Sequence, residues 1–129
     1  MSRPSALPAP SSLRSQQVTA MLISEKLNQA MNGQIGSELG ASNQYLQAAA
    51  HFGREDLPEL AGFFFRQSDE ERGHALKFLH YILDAGGTVA IPAVSAPTQE
   101  IKSAEQAAQL SLDSEKRVTD QINALQQLA

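Results

Sequence analysis

Glu71 and His74 stand three residues apart in a stretch whose large or core-type residues recur at helical spacing: Leu60, Phe64, Gln67, Glu71, His74, Phe78 and Ile82. Steps of three and four residues put all seven on one face of a 3.6-residue period. A carboxylate and an imidazole in the middle of an apolar stripe are metal-binding groups in a place where carboxylates are almost never found unless paired. An unpaired buried charge costs far more than a helix packing contact returns. The anomaly repeats on an earlier segment, where Glu38 is central among Met31, Ile35, Ser42, Tyr45, Ala49 and Phe52. It recurs on a later one, where Glu115 stands among Ile101, Ala104, Ala108, Leu112, Val118, Ile122 and Leu125. Packed stripe to stripe, the three glutamates repel one another and shift toward the neutral acid unless cations lie among them. Divalent or trivalent iron satisfies all three. A bundle whose glutamates pair with Lys or Arg is the competing reading, and neither stripe places a cation near Glu38, Glu71 or Glu115.

The elements that must position these residues are long helices. Ala, Leu, Gln and Glu dominate residues 21–129, while aromatics make up 5% and β-branched residues are sparse, which favours an all-α chain. A first helix is expected from about Val18 to Phe52, stopping at Gly53. Gly33, Gly36 and Gly40 lie inside it, roughly opposite Glu38, and read either as tolerated or as close packing against another subunit. A second helix spans about Leu57 to Ala85, with Asp56 as N-cap, Pro58 in the first turn and Gly86-Gly87 as the stop. Residues 86–98 form a linker with Pro92 and Pro97, and Thr98 caps a third helix from about Gln99 to Leu128.

Helix counting brings the anomalous residues to one level. Glu38 lies 14 residues before Phe52 and Glu71 lies 14 after Leu57, so an antiparallel hairpin sets both about 21 Å from the turn. Glu115, near the middle of the third helix, reaches that level in either direction of that helix. The linker decides the direction: 13 extended residues span about 43 Å. The second helix is also about 43 Å long. Connections between antiparallel neighbours need only about two to eight residues, so the surplus favours a full-length crossover with the second and third helices parallel.

The 129 residues suffice for one domain, residues 21–129, and contain no apolar run of transmembrane length. Residues 1–20, with Pro4, Pro8 and Pro10 among serines and alanines, read as a disordered tail without the apolar region of a secretory signal. An organellar transit peptide is the minor alternative. The net charge of −4 and the absence of a basic patch argue against nucleic acid and suit cations. With no cysteine, disulfides, zinc-thiolate and iron-sulfur sites are excluded, and the cytoplasm is the default location.

Taken together, Glu38-Leu39 with Tyr45-Leu46 one heptad on, the run from Gln67 to Ala75, Asp84-Ala85-Gly86-Gly87 and Glu115-Lys116-Arg117-Val118 resemble a non-haem ferritin over about Leu22 to Ala129. Carboxylates projecting into a bundle core are the known pattern of that ferritin-like di-iron family. The resemblance implies a ferritin-like helical bundle in which Glu38, Glu71 and His74 hold a first iron. Glu71 bridges to a second iron also held by Glu115, and Tyr45 stands beside the centre. It further implies oxidation of ferrous to ferric iron by dioxygen or peroxide, iron storage, and homo-oligomeric assembly into a 24-subunit shell. Glu70 matches an accessory carboxylate of some bacterial ferritins, or is simply a solvated residue. Haem-binding relatives carry a methionine between the bridging glutamate and the histidine; Arg72 and Gly73 fill that gap here, so no haem is expected. His51 and His80 fall off the stripes and read as structural or exposed.

The sequence departs from the family after Leu128-Ala129, where a ferritin turns into its fourth long helix. The second iron site is then incomplete, and three stripes leave an open apolar groove that favours association and works against a shell built from this chain alone. A truncated, catalytically silent module that only associates with intact subunits is therefore the alternative function.

Overall fold

The computed structural model describes residues 23–97 and 100–129. Among these, three α-helices and no strand are found: α1 (Glu25–Arg54), α2 (Pro58–Asp84) and α3 (Ala104–Leu128). The expected tail over residues 1–20, the expected helix start at Val18, and Thr98 and Gln99 lie outside the described residues. Ser24, in extended conformation, opens α1 by accepting a hydrogen bond from the Leu27 amide at 3.0 Å. Ser103 does the same for α3 through the Gln106 amide, so the third helix begins five residues later than its spacing suggested.

The turn between α1 and α2 differs from the sequence expectation. Gly53 does not stop α1, and Asp56 caps nothing. The helix runs to Arg54, Asp56 adopts a left-handed φ of 59°, and the Leu57 amide donates back to the Phe52 carbonyl. This is a helix C-terminal motif in which Asp takes the place usually given to glycine. Pro58 then starts α2 without a side-chain cap. At the other end Gly86, with φ 77°, closes α2 as expected.

α1 and α2 form an antiparallel hairpin with two apolar ends and a polar middle. Toward the turn, Tyr45 and Phe52 both stack on Phe64 with ring centroids 5.8 Å apart. At the far end Ile23, Leu27, Met31, Ile35, Ala75 and Ile82 pack together. Between them lie the buried polar residues Glu38, Ser42, Ser68 and Glu71. The Ser42 hydroxyl donates to the Ser68 carbonyl at 2.9 Å, a contact that brings the two helices close at this level.

The chain after α2 returns along α1 for its whole length. Asn28 and Asn32, one turn apart, offer their side-chain amides as a substitute for a neighbouring strand: Thr88 N donates to Asn28 Oδ1 and Ala90 N to Asn32 Oδ1, while both amides donate to the Thr88 carbonyl. Farther along, Pro92 lies over Gly36 and Val94 over Gly40. Ile101 then joins the aromatic end of the core. The expected full-length crossover is thus present, and α3 runs parallel to α2. The glycine stripe is covered by the chain's own crossover at Gly36 and Gly40, where the sequence had left another subunit open.

A pair of alanine substitutions tests that cover. A Cβ on Gly36 would stand 2.5 Å from the Pro92 ring, whereas one on Gly33 would meet nothing within 4 Å. Gly33→Ala is expected to stabilise by about 0.5–1 kcal/mol through helix propensity. Gly36→Ala is expected to destabilise by about 1–3 kcal/mol through overpacking. Urea unfolding midpoints that move in the same direction for both would contradict this packing.

α2 and α3 each pack on α1 and not on each other. An apolar groove of about 490 Å³ lies between them, lined by Leu27 and Met31 of α1, Phe78 and Tyr81 of α2, and Ile122 and Leu125 of α3. Packing on one neighbour also changes which face of α3 is buried: Ala107, Leu110 and Ser114 are covered, and Leu112 is 61% exposed. The stripe expected through Ala104, Ala108, Leu112 and Glu115 is therefore not the core face.

Candidate metal centre

Glu38 of α1 and Glu71 and His74 of α2 meet in the polar middle layer, as the level count required. Their ligand atoms all lie within 4.8 Å of one another. His74 Nδ1 stands 3.4 Å from Glu38 Oε2 and 3.3 Å from Glu71 Oε1. Glu38 is wholly buried and Glu71 is 9% exposed. The His74 side chain is 44% exposed, and Glu38 and His74 both line the groove. The cluster thus has a buried floor and an open side.

Its electrostatics are unbalanced. Glu38 Oε2 and Glu71 Oε2 are buried without a hydrogen-bond partner. Two carboxylates and one imidazole carry a deficit of positive charge even with the imidazole protonated. Burial first, and then the Glu38 carboxylate, push the Glu71 pKa up to about 7; His74 opposes the rise. Arg117 of α3 also opposes it. That cation comes from the third helix and lies off the stripes that carry the glutamates. Arg117 is itself exposed and forms no ion pair with Glu71 within 4.0 Å among the described residues.

A small multivalent cation fits what is missing. Hard carboxylate oxygens with one imidazole suit first-row divalent ions, and such an ion would satisfy both orphaned oxygens at once. The groove supplies a way in.

The other expected site residues are placed differently. Glu115 is exposed and lies outside the cluster; by helical periodicity it shares the α3 face of Ile122 and Gln126, which line the groove. Tyr45 is 2% exposed, two turns along α1 from Glu38, in the aromatic stack. Glu70 and His80 are exposed, and His51 is half-buried with its ring edge-on to Phe52. Two residues went unnoticed in the sequence. Gln34 Nε2 donates to Glu38 Oε1 at 2.8 Å, and Gln121 accepts from the same nitrogen. For Gln34 the signal was there, a polar side chain one turn before a stripe glutamate.

The fold and this cluster define a ferritin-like carboxylate bundle. The ferritin-like domain model of the ferritin family matches residues 28–129, and the chain belongs to that family. It is 38% identical over 104 residues to the ferritin BfrB of Mycobacterium tuberculosis, covering 81% of this chain and 58% of that protein. To a bacterial non-heme ferritin of Staphylococcus aureus it is 34% identical over 108 residues, covering 84% and 65%. A crystal structure of a PmFTN variant soaked overnight in iron superposes with a TM-score of 0.75 at 33% identity, covering 79% of this chain and 65% of the other. The chain thus spans about three fifths of the length of the relatives it matches. No described helix is long and apolar enough to cross a membrane.

Proposed function

We propose that this chain is an iron-binding ferritin subunit that oxidises ferrous to ferric iron with dioxygen or peroxide and serves iron storage in the cytoplasm. The observation that carries this reading is the pair of buried, unpartnered carboxylate oxygens, Glu38 Oε2 and Glu71 Oε2, in one cluster with the His74 imidazole, whose Nδ1 stands 3.4 Å from the first and 3.3 Å from the other oxygen of Glu71. Iron is the substrate. Glu38, Glu71 and His74 hold the first ion: His74 binds through Nδ1, with its proton on the other ring nitrogen. Glu71 is shared with a second ion, to which exposed Glu115 turns in from α3. Dioxygen takes two electrons on its way to peroxide, one from each ferrous ion, which is why two adjacent sites are needed. Tyr45 is the match to the tyrosine that the family places beside the centre, here held in the aromatic stack two turns along α1 from Glu38. Exposed Leu46, Phe63 and Phe65 support assembly with further copies.

The open groove beside the cluster and the exposure of Glu115 favour a second reading, a catalytically silent module that associates with intact subunits. Anaerobic ferrous titration followed by a pulse of oxygen separates the two. The leading reading expects about two ions per chain and rapid oxidation. A chain that binds at most one ion, and oxidises iron no faster than buffer, belongs to the second.

A further inference from the structure

The geometry points to Gln34, held by Gln121 and Ser37, as the residue that positions Glu38 for the ion; this rests on the metal-site reading above. Glu38 is ionised when it serves as a ligand, and an ionised carboxylate only accepts hydrogen bonds. The Gln34 side chain, itself 4% exposed, must therefore turn its nitrogen toward Glu38 Oε1, 2.8 Å away. That nitrogen carries a second hydrogen, which goes to Gln121 Oε1 at 3.0 Å. Gln121 is fixed in turn by Ser37, whose hydroxyl donates to its Oε1 at 3.2 Å and accepts from its Nε2 at 3.1 Å.

Each orientation in this chain follows from the one before it, starting at the charge. With Oε1 occupied by Gln34, the other oxygen of Glu38 is the one directed at His74 and left without a partner. The network also joins α1 to α3 at the level of the cluster, so the third helix contributes to the first ion's site without supplying a ligand to it. Residues that orient metal ligands through hydrogen bonds typically change affinity by about 10–100-fold when removed.

The test uses Co²⁺, a redox-inert stand-in whose visible spectrum reports coordination, on the full chain. Gln34→Met is expected to weaken Co²⁺ binding by about 10–100-fold and to shift its absorption bands. Gln121→Met, on the more exposed helix, is expected to weaken it by a smaller factor. The double variant should bind no more weakly than Gln34→Met alone, because Gln121 acts only through Gln34. A Gln34→Met chain with parental affinity and spectrum overturns the inference, and so do additive losses in the double variant. If Gln34→Met does not fold, parental binding by Gln121→Met overturns it by itself. A parent chain that takes up no Co²⁺ at all refutes the site reading, and this inference with it.

Discussion

Without metal, Glu71→Gln is expected to be more stable than the parent chain at pH 8, by on the order of 3 kcal/mol, and about equal to it at pH 4. The Glu71 pKa rises from 4.5 in the unfolded chain to about 7 in the folded one, chiefly through burial and secondarily through Glu38. The folded state then holds this proton more tightly than the unfolded state does. Stability is highest below the unfolded value, falls as pH rises through the interval from 4.5 to 7, and stays low above it. Glutamine resembles the protonated acid in shape and lacks the titration, so it removes this slope. Other groups titrate in the same range, and the difference between the two proteins isolates the one of interest.

A divalent ion reverses the order. It replaces the missing positive charge, so the parent gains stability by mass action, about 4.1 kcal/mol at a thousandfold excess over Kd, while the variant gains little. Ion uptake must also displace the proton, so apparent affinity should rise with pH up to about 7 and then level off. The measurement is urea unfolding of both proteins at pH 4, 6 and 8, with and without Zn²⁺. Parallel pH curves for parent and variant in the absence of metal would show that Glu71 is not held in a cation-deficient cluster.

How far the sequence led follows from what each signal measures. Stripe membership and residue counting are local quantities, and a hairpin converts them directly into contact, which is why Glu38, Glu71 and His74 could be placed together. The crossover was legible because chain length is a hard limit on reach. Asp56 was misread because the same residue type favours an N-cap and tolerates the left-handed conformation of a helix end; which role it takes depends on whether α1 continues past Gly53. The buried face of α3 was misread for another reason. A helix with one packed neighbour buries a narrower strip than one enclosed on two sides, and the larger apolar residues Leu112 and Ile122 remained outside it. Arg117 and Gln121 come to the site from that same helix, so their roles depended on a rotation that periodicity did not settle.

The largest contrast is expected between Glu38→Ala and Glu115→Ala in anaerobic ferrous titration. Glu38 is wholly buried, and on the proposed reading its removal leaves Glu71 and His74 as the ligands of the first ion and takes from Gln34 one of its two acceptors. Tight binding should fall by more than about 100-fold, beyond the usual effect of losing an orienting residue. Glu115 is exposed and must give up side-chain freedom to act as a ligand, so the second site proposed for it would be the weaker of the two. Its removal should take the stoichiometry from two ions to one, leave the first affinity within about threefold, and slow oxidation because the second electron donor is gone. On the proposed reading the two variants separate a buried site set by the hairpin from an outer one that needs α3. If the chain only associates with intact subunits, Glu115→Ala changes neither count nor rate, because the parent titration already ends at a single ion.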